Sequence, residues 1–140
     1  AQSLGVADRV IFVGAVPPAE VPRYYALGDV FVSASTSEAQ GLTYIEAMAA
    51  GLPLLCHADP CLDALVREGE TGWAYHTPAE LAARAAALPK GHQLAAMRQN
   101  VRRAVQPYTK EQFGLSVVRL YAAALGRKHA ARSAAGENVA

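Results

Sequence analysis

Charge is scarce and nearly balanced in this 140-residue chain: 18% of residues are charged, and the formal net charge is +1. That excludes a nucleic-acid footprint, which needs clustered Lys and Arg. A hydrophobic share of 52% excludes disorder. No apolar run approaches the roughly 20 residues of a membrane span. Cysteine is limited to Cys56 and Cys61. His57 stands beside the first, but no second pair completes a tetrahedral metal site. The two thiols read as reduced and structural, which points to the cytoplasm. No Asp-x-Asp metal motif occurs either. What remains is a chain long enough for one domain with a real core.

Four apolar runs predict strands: Val10–Gly14, Val30–Ala34, Pro53–His57 and Gly72–Tyr75. Helical stretches are expected between them, near Ala19–Leu27, Thr43–Ala50 and Cys61–Arg67. Strands alternating with helices imply the α/β class, a Rossmann-like parallel sheet with flanking helices and right-handed crossovers. After Pro78 the pattern turns helical, over Ala79–Leu88, His92–Gln106 and Lys110–Leu125. The last of these has an apolar side made by Leu115, Val118, Leu120, Tyr121 and Leu125. Residues 1–125 are therefore expected to form the domain, and residues 126–140, basic and then small and polar, a frayed tail. His57, His76, His92 and His129 read as strand-end or surface residues, and Trp73 as a core or rim aromatic.

One segment carries chemistry: Ser35-Thr-Ser-Glu38-Ala-Gln-Gly41-Leu-Thr-Tyr-Ile-Glu46-Ala-Met-Ala-Ala-Gly51-Leu-Pro53. It reads as a polar glycine loop between a strand and a helix, a position where open α/β sheets bind ligands. A helix starting near Thr43 presents the backbone N–H groups of Gly41, Leu42 and Thr43 together with the positive end of its dipole, a site for a phosphate or diphosphate. Gly41 lets the backbone approach a ligand closely. Glu38 and Glu46, seven residues apart, flank that mouth and are suited to accept hydrogen bonds from sugar or ribose hydroxyls. The same residues fit a second reading. Thr43-Tyr-Ile-Glu46 also matches a capping box, with Thr43 as N-cap and Glu46 bonding back to its amide, and Glu38 as a solvated loop acid. Spacing alone leaves both open.

The segment resembles the Glu-x7-Glu signature of retaining, nucleotide-sugar-dependent glycosyltransferases built from two Rossmann-like lobes, in their C-terminal, donor-binding lobe. Val10-Ile-Phe-Val-Gly14-Ala-Val16, Tyr24-Tyr-Ala-Leu-Gly-Asp29-Val-Phe-Val-Ser-Ala-Ser35, Glu46-Ala-Met-Ala-Ala-Gly-Leu-Pro53 and Glu68-Gly-Glu-Thr-Gly72-Trp-Ala-Tyr75 continue the likeness. The resemblance implies that Glu46 binds the donor ribose and that Glu38 is the catalytic residue, holding the transferred sugar. It implies that Gly41, Leu42 and Thr43 contact the diphosphate or sugar and that Val16 packs on the base. Ser-Glu-Ala-Gln-Gly-Leu-Thr-Tyr-Ile-Glu and Asp59-Pro-Cys61-Leu-Asp63 are similar to members of the diacylglycerol glucosyltransferase kind.

From the resemblance, the expected donor is UDP-glucose and the expected acceptor a hydroxyl, diacylglycerol among the candidates. No cofactor is expected, although the diphosphate leaves room for Mg²⁺. The family's usual basic pair, Arg and Lys, and its N-terminal acceptor lobe have no counterpart in these residues. The chain is therefore expected to be most of a donor lobe, inactive alone, with any peripheral membrane contact made by the full-length enzyme. Two other functions fit such a fold: a non-catalytic nucleotide or sugar-phosphate binding module, and a related phosphorylase or epimerase.

Overall fold

A computed structural model describes residues 1–37, 39 and 41–136, those from 128 on by their backbone alone. Three strands, β1 (Phe31–Ser33), β2 (Leu54–His57) and β3 (Gly72–Tyr75), form one parallel sheet in the order β1-β2-β3. Phe31 is opposite Leu54, and Leu54 in turn is opposite Gly72. Among the described residues five α-helices accompany them: α1 (Val21–Leu27), α2 (Leu42–Ala49), α3 (Pro78–Ala86), α4 (Gly91–Ala104) and α5 (Lys110–Gly136). The predicted α/β class and parallel sheet are what the chain forms.

β2 is the central strand, and Leu54, Leu55 and Cys56 are fully buried. Such a strand, covered on both faces, reads as a continuous apolar run. Helix α2 lies on the sheet through Tyr44, Ala47 and Met48, all at 0% exposure, spaced i, i+3, i+4 as one helical face requires. Val101 and Val105, on and just after α4, join the same core. Gly51, at φ 86°, ends α2 in the left-handed region, and its amide bonds to the Met48 carbonyl at 2.8 Å. Pro53 then begins the extended path into β2. Arg98 of α4 ties the turn before β1, donating to the Gly28 carbonyl and pairing with Asp29 at 3.0 Å.

Three expected elements differ. Val10–Gly14 is no strand: it lies extended and exposed, with Ile11 and Phe12 more than four-fifths accessible, and no described residue forms a ladder with it. An apolar run becomes a strand only where a neighbour accepts its backbone hydrogen bonds. Cys61–Arg67 is no α-helix. Asp59 caps a short 3-10 turn over Pro60–Leu62 through the Cys61 amide at 2.8 Å. The buried Thr71 hydroxyl then accepts from the Arg67 amide at 2.8 Å and donates to the Leu65 carbonyl at 2.6 Å. A helix would need those backbone groups for itself. Finally, α5 runs past its expected end at Leu125 to Gly136; the Ala, Arg and Lys of that stretch are good helix formers. Among the described residues no helix is long and apolar enough to cross a membrane.

Two backbones approach closely at the start of β3. A Cβ on Gly72 would lie 2.3 Å from the Leu54 carbonyl oxygen, so the strand pair has no space for a side chain there. Gly72→Ala is expected to cost about 3 kcal/mol or more, as overpacking against rigid backbone does. Urea denaturation measures it; a loss below about 1 kcal/mol would contradict the packing of β3 on β2.

Candidate functional site

The site is built at the carboxyl end of β1 and the amino end of α2. Gly41 is the N-cap of α2, with φ 61° and ψ 32°, and its carbonyl accepts from the amides of Tyr44 and Ile45, both at 3.1 Å. The left-handed conformation suits a residue without a Cβ, and a Cβ here would also press on Leu62 at 3.1 Å. The helix begins at Leu42, one residue before the expected Thr43, and no side chain caps it. The capping box is therefore not made. The amides of Gly41, Leu42 and Thr43 stand at the N-cap, N1 and N2 positions, where helix geometry supplies no intrahelical acceptor.

Glu46 turns away from the core because its neighbours Tyr44, Ala47 and Met48 turn into it. Its Oε2 accepts from the Tyr25 hydroxyl at 3.2 Å, and the same hydroxyl lies 3.4 Å from the Thr43 carbonyl. A pocket of about 410 Å³ opens beside this contact, between α1 and α2. Pro18, Val21, Pro22 and Ala26 form one wall, and Ala49 and Ala50 the other, with Tyr25 and Glu46 between them. The alanines add only methyl groups, so the two helices leave a hollow. Glu46 is the one charged residue in its lining among the described residues. Val16 is partly buried two positions before Pro18 and does not line the pocket. Glu38 lies outside the described residues.

An aromatic ladder supports the site. Tyr25 packs on Phe31 at 6.0 Å between ring centroids, and Phe31 meets Tyr44 edge-on at 5.4 Å. The buried Tyr44 hydroxyl donates to Ser33 Oγ at 2.8 Å, and the Tyr75 hydroxyl donates to the Ser33 carbonyl at 2.9 Å. Ser33 Oγ also accepts from the Ser35 amide at 3.2 Å, which starts the loop toward α2. These tyrosines have no spacing signal in the chain; only the pairing of Phe31 with Leu54 and the packing of α2 bring them together. Cys56 is buried and Cys61 exposed, and neither is in a disulfide. Among the described residues no group of three or more His, Cys, Asp or Glu is gathered as a metal site.

A family model for glycosyl transferases group 1 matches residues 1–104. The chain belongs to that family. Group 1 relatives include the alpha-monoglucosyldiacylglycerol synthase of Streptococcus pneumoniae, 45% identical over 82 residues, which are 59% of this chain and 19% of that protein. The protein of the same name from Acholeplasma laidlawii is 38% identical over 110 residues, 78% of this chain and 28% of its own length. The chain thus spans between about a fifth and just over a quarter of these curated relatives. Among solved structures, the sucrose-phosphate synthase of Thermosynechococcus elongatus superposes with a TM-score of 0.75 at 30% identity, over 90% of this chain and 33% of that one. A GtfA/B complex chain superposes at 0.71 with 23% identity, a likeness of fold.

Two outcomes test this geometry. Gly41→Ala is expected to destabilise the chain by about 1–2 kcal/mol, the usual cost of a left-handed residue with a Cβ; an unchanged urea midpoint would contradict the cap. Burial first, and then the Glu46 charge and hydrogen bond, raise the pKa of the Tyr25 hydroxyl. The neutral phenol is thus favoured in the folded state. Its stabilisation is complete below the unfolded value of about 10 and is lost as pH rises from there through the raised folded value. Tyr25→Phe should accordingly lose less stability than the wild type above pH about 10, read as urea midpoints against pH. Parallel curves would contradict the Tyr25–Glu46 contact.

Proposed function

We propose that residues 1–125 are the donor-binding lobe of a retaining glycosyltransferase that transfers a hexose from a nucleotide sugar, with UDP-glucose as the donor, to a hydroxyl acceptor. The observation that carries the reading is the place of Glu46: among the described residues, the one carboxylate in the lining of an apolar pocket, one turn from the N-terminus of α2. An apolar wall suits a flat base, a carboxylate accepts from ribose hydroxyls, and the first amides of a helix suit a diphosphate. A nucleoside diphosphate presents those three groups in that order.

In this reading Glu46 binds the ribose, the amides of Gly41, Leu42 and Thr43 hold the diphosphate, and Val16, two positions before Pro18 and outside the pocket's lining, borders the base from beyond that wall. The departing diphosphate gains negative charge as the sugar leaves, and oriented amides and the helix dipole stabilise that charge without reorganising. Glu38 holds the hydroxyls of the transferred sugar and keeps the reacting carbon in line. The relatives named for monoglucosyldiacylglycerol synthesis favour diacylglycerol as the acceptor; a lipid acceptor places the reaction at a membrane surface, on its cytoplasmic side in this reading. Since the chain spans a minor part of those relatives, acceptor binding and turnover belong to the longer protein, and the isolated chain binds donor without transferring it.

Calorimetry with UDP tests the reading. The chain should bind UDP saturably, and Glu46→Ala should weaken binding about tenfold or more, the worth of charge-assisted hydrogen bonds. Glu38→Ala should leave UDP affinity unchanged and remove any advantage of UDP-glucose over UDP. Unchanged UDP affinity in Glu46→Ala would overturn the assignment.

A further inference from the structure

Glu46 projects from an outward face of α2, and a glutamate there has several rotatable bonds and many rotamers. A carboxylate that must receive a ligand at a fixed place needs something to hold it. An Arg or Lys would hold it by ion pairing but would also neutralise it and compete with the ligand's hydroxyls. None of the ion pairs among the described residues involves Glu46. Its partner is instead a neutral donor, the Tyr25 hydroxyl at 3.2 Å.

Tyr25 is itself well held. Its ring packs on Phe31 at 6.0 Å, and through Phe31 on the fully buried Tyr44. Its single hydroxyl proton is shared between Glu46 and, more distantly, the Thr43 carbonyl at 3.4 Å, which places it over the first turn of α2. The oxygen that orients Glu46 is thus fixed relative to the same helix end whose first amides lack an intrahelical acceptor. We propose that Tyr25 is a positioning residue: it fixes the Glu46 carboxylate, charge intact, in the wall of the pocket, and so sets how strongly the site discriminates a ligand bearing a vicinal diol from one that lacks it. This rests on the donor-site reading of Glu46.

The phenol proton is retained across the neutral and mildly alkaline range, because burial and the adjacent carboxylate both oppose its loss. Tyr25 therefore remains a donor wherever the site operates. A phenylalanine keeps the ring contact with Phe31 and removes the hydrogen bond alone.

The test compares UDP with 2′-deoxy-UDP on the wild type, Tyr25→Phe, Glu46→Ala and the double variant, by calorimetry. The wild type should prefer UDP. Tyr25→Phe should lose about fivefold in UDP affinity and much less in 2′-deoxy-UDP affinity, the size of one hydrogen bond felt only through the diol. In the Glu46→Ala background the same change should have no effect, since the coupled partner is gone. A general loosening of α1 would weaken both nucleotides equally, which would overturn the positioning role. Wild-type discrimination in Tyr25→Phe, with Glu46→Ala still impaired, would overturn it while leaving the donor site standing. Wild-type binding of UDP by Glu46→Ala, or no binding by any form, would overturn both.

Discussion

The burial of one side of α2 governs the rest of the structure. Tyr44, Ala47 and Met48 must face the sheet and α4, because together with Leu54 and Val101 they are the core. A helix only eight residues long has one way to satisfy that demand. Thr43 and Glu46 are then forced to the other side, toward α1, and the helix N-terminus is aimed past the end of β1. The chemistry at the mouth is thus a consequence of packing: a rotation of α2 that exposed Met48 would bury Glu46, and burying an unpaired carboxylate is strongly unfavourable.

Hydroxyls do the secondary work of fixing the loop ends. Tyr44 and Tyr75 both reach Ser33, one its side chain and one its carbonyl, so the last residue of β1 is held from α2 and from β3 at once. The neighbouring Thr71 does the same for the turn before β3. Each buried hydroxyl satisfies a backbone or side-chain group that would otherwise lie unpaired, at a cost of about 1–3 kcal/mol. The result is a rigid floor under a polar, glycine-containing loop, an arrangement suited to holding small groups in a defined geometry.

Where the chain carries strong punctuation, its sequence was readable. Gly41 before α2, and Gly51 with Pro53 after it, bracket that helix to within a residue, and the apolar runs of β2 and β3 fall as expected. Val10–Gly14 misled because an apolar run reports readiness to pair and is silent on whether a partner lies alongside. Cys61–Arg67 misled because Thr71, beyond the segment, takes its backbone groups. For the site, the place of Glu46 one turn into the helix and the glycine turn before it were legible, although Thr43 and not Gly41 was read as the cap. Tyr25 was not legible, since it is separated from Glu46 by 21 positions and only the packing of α1 on α2 joins them. The chain also gave no sign that Pro18, Val21 and Pro22, rather than Val16, would wall the pocket.

The central claim is that the hollow between α1 and α2 and the open end of α2 form one nucleotide site. Amide chemical-shift mapping by NMR during titration with UDP tests it most directly. The account predicts that the shifts concentrate at Gly41, Leu42, Thr43 and Glu46 and along the pocket at Tyr25, Ala49 and Ala50, leaving α3 and α5 unmoved. Perturbations centred elsewhere, or a folded chain whose spectrum does not change at millimolar UDP, would contradict it.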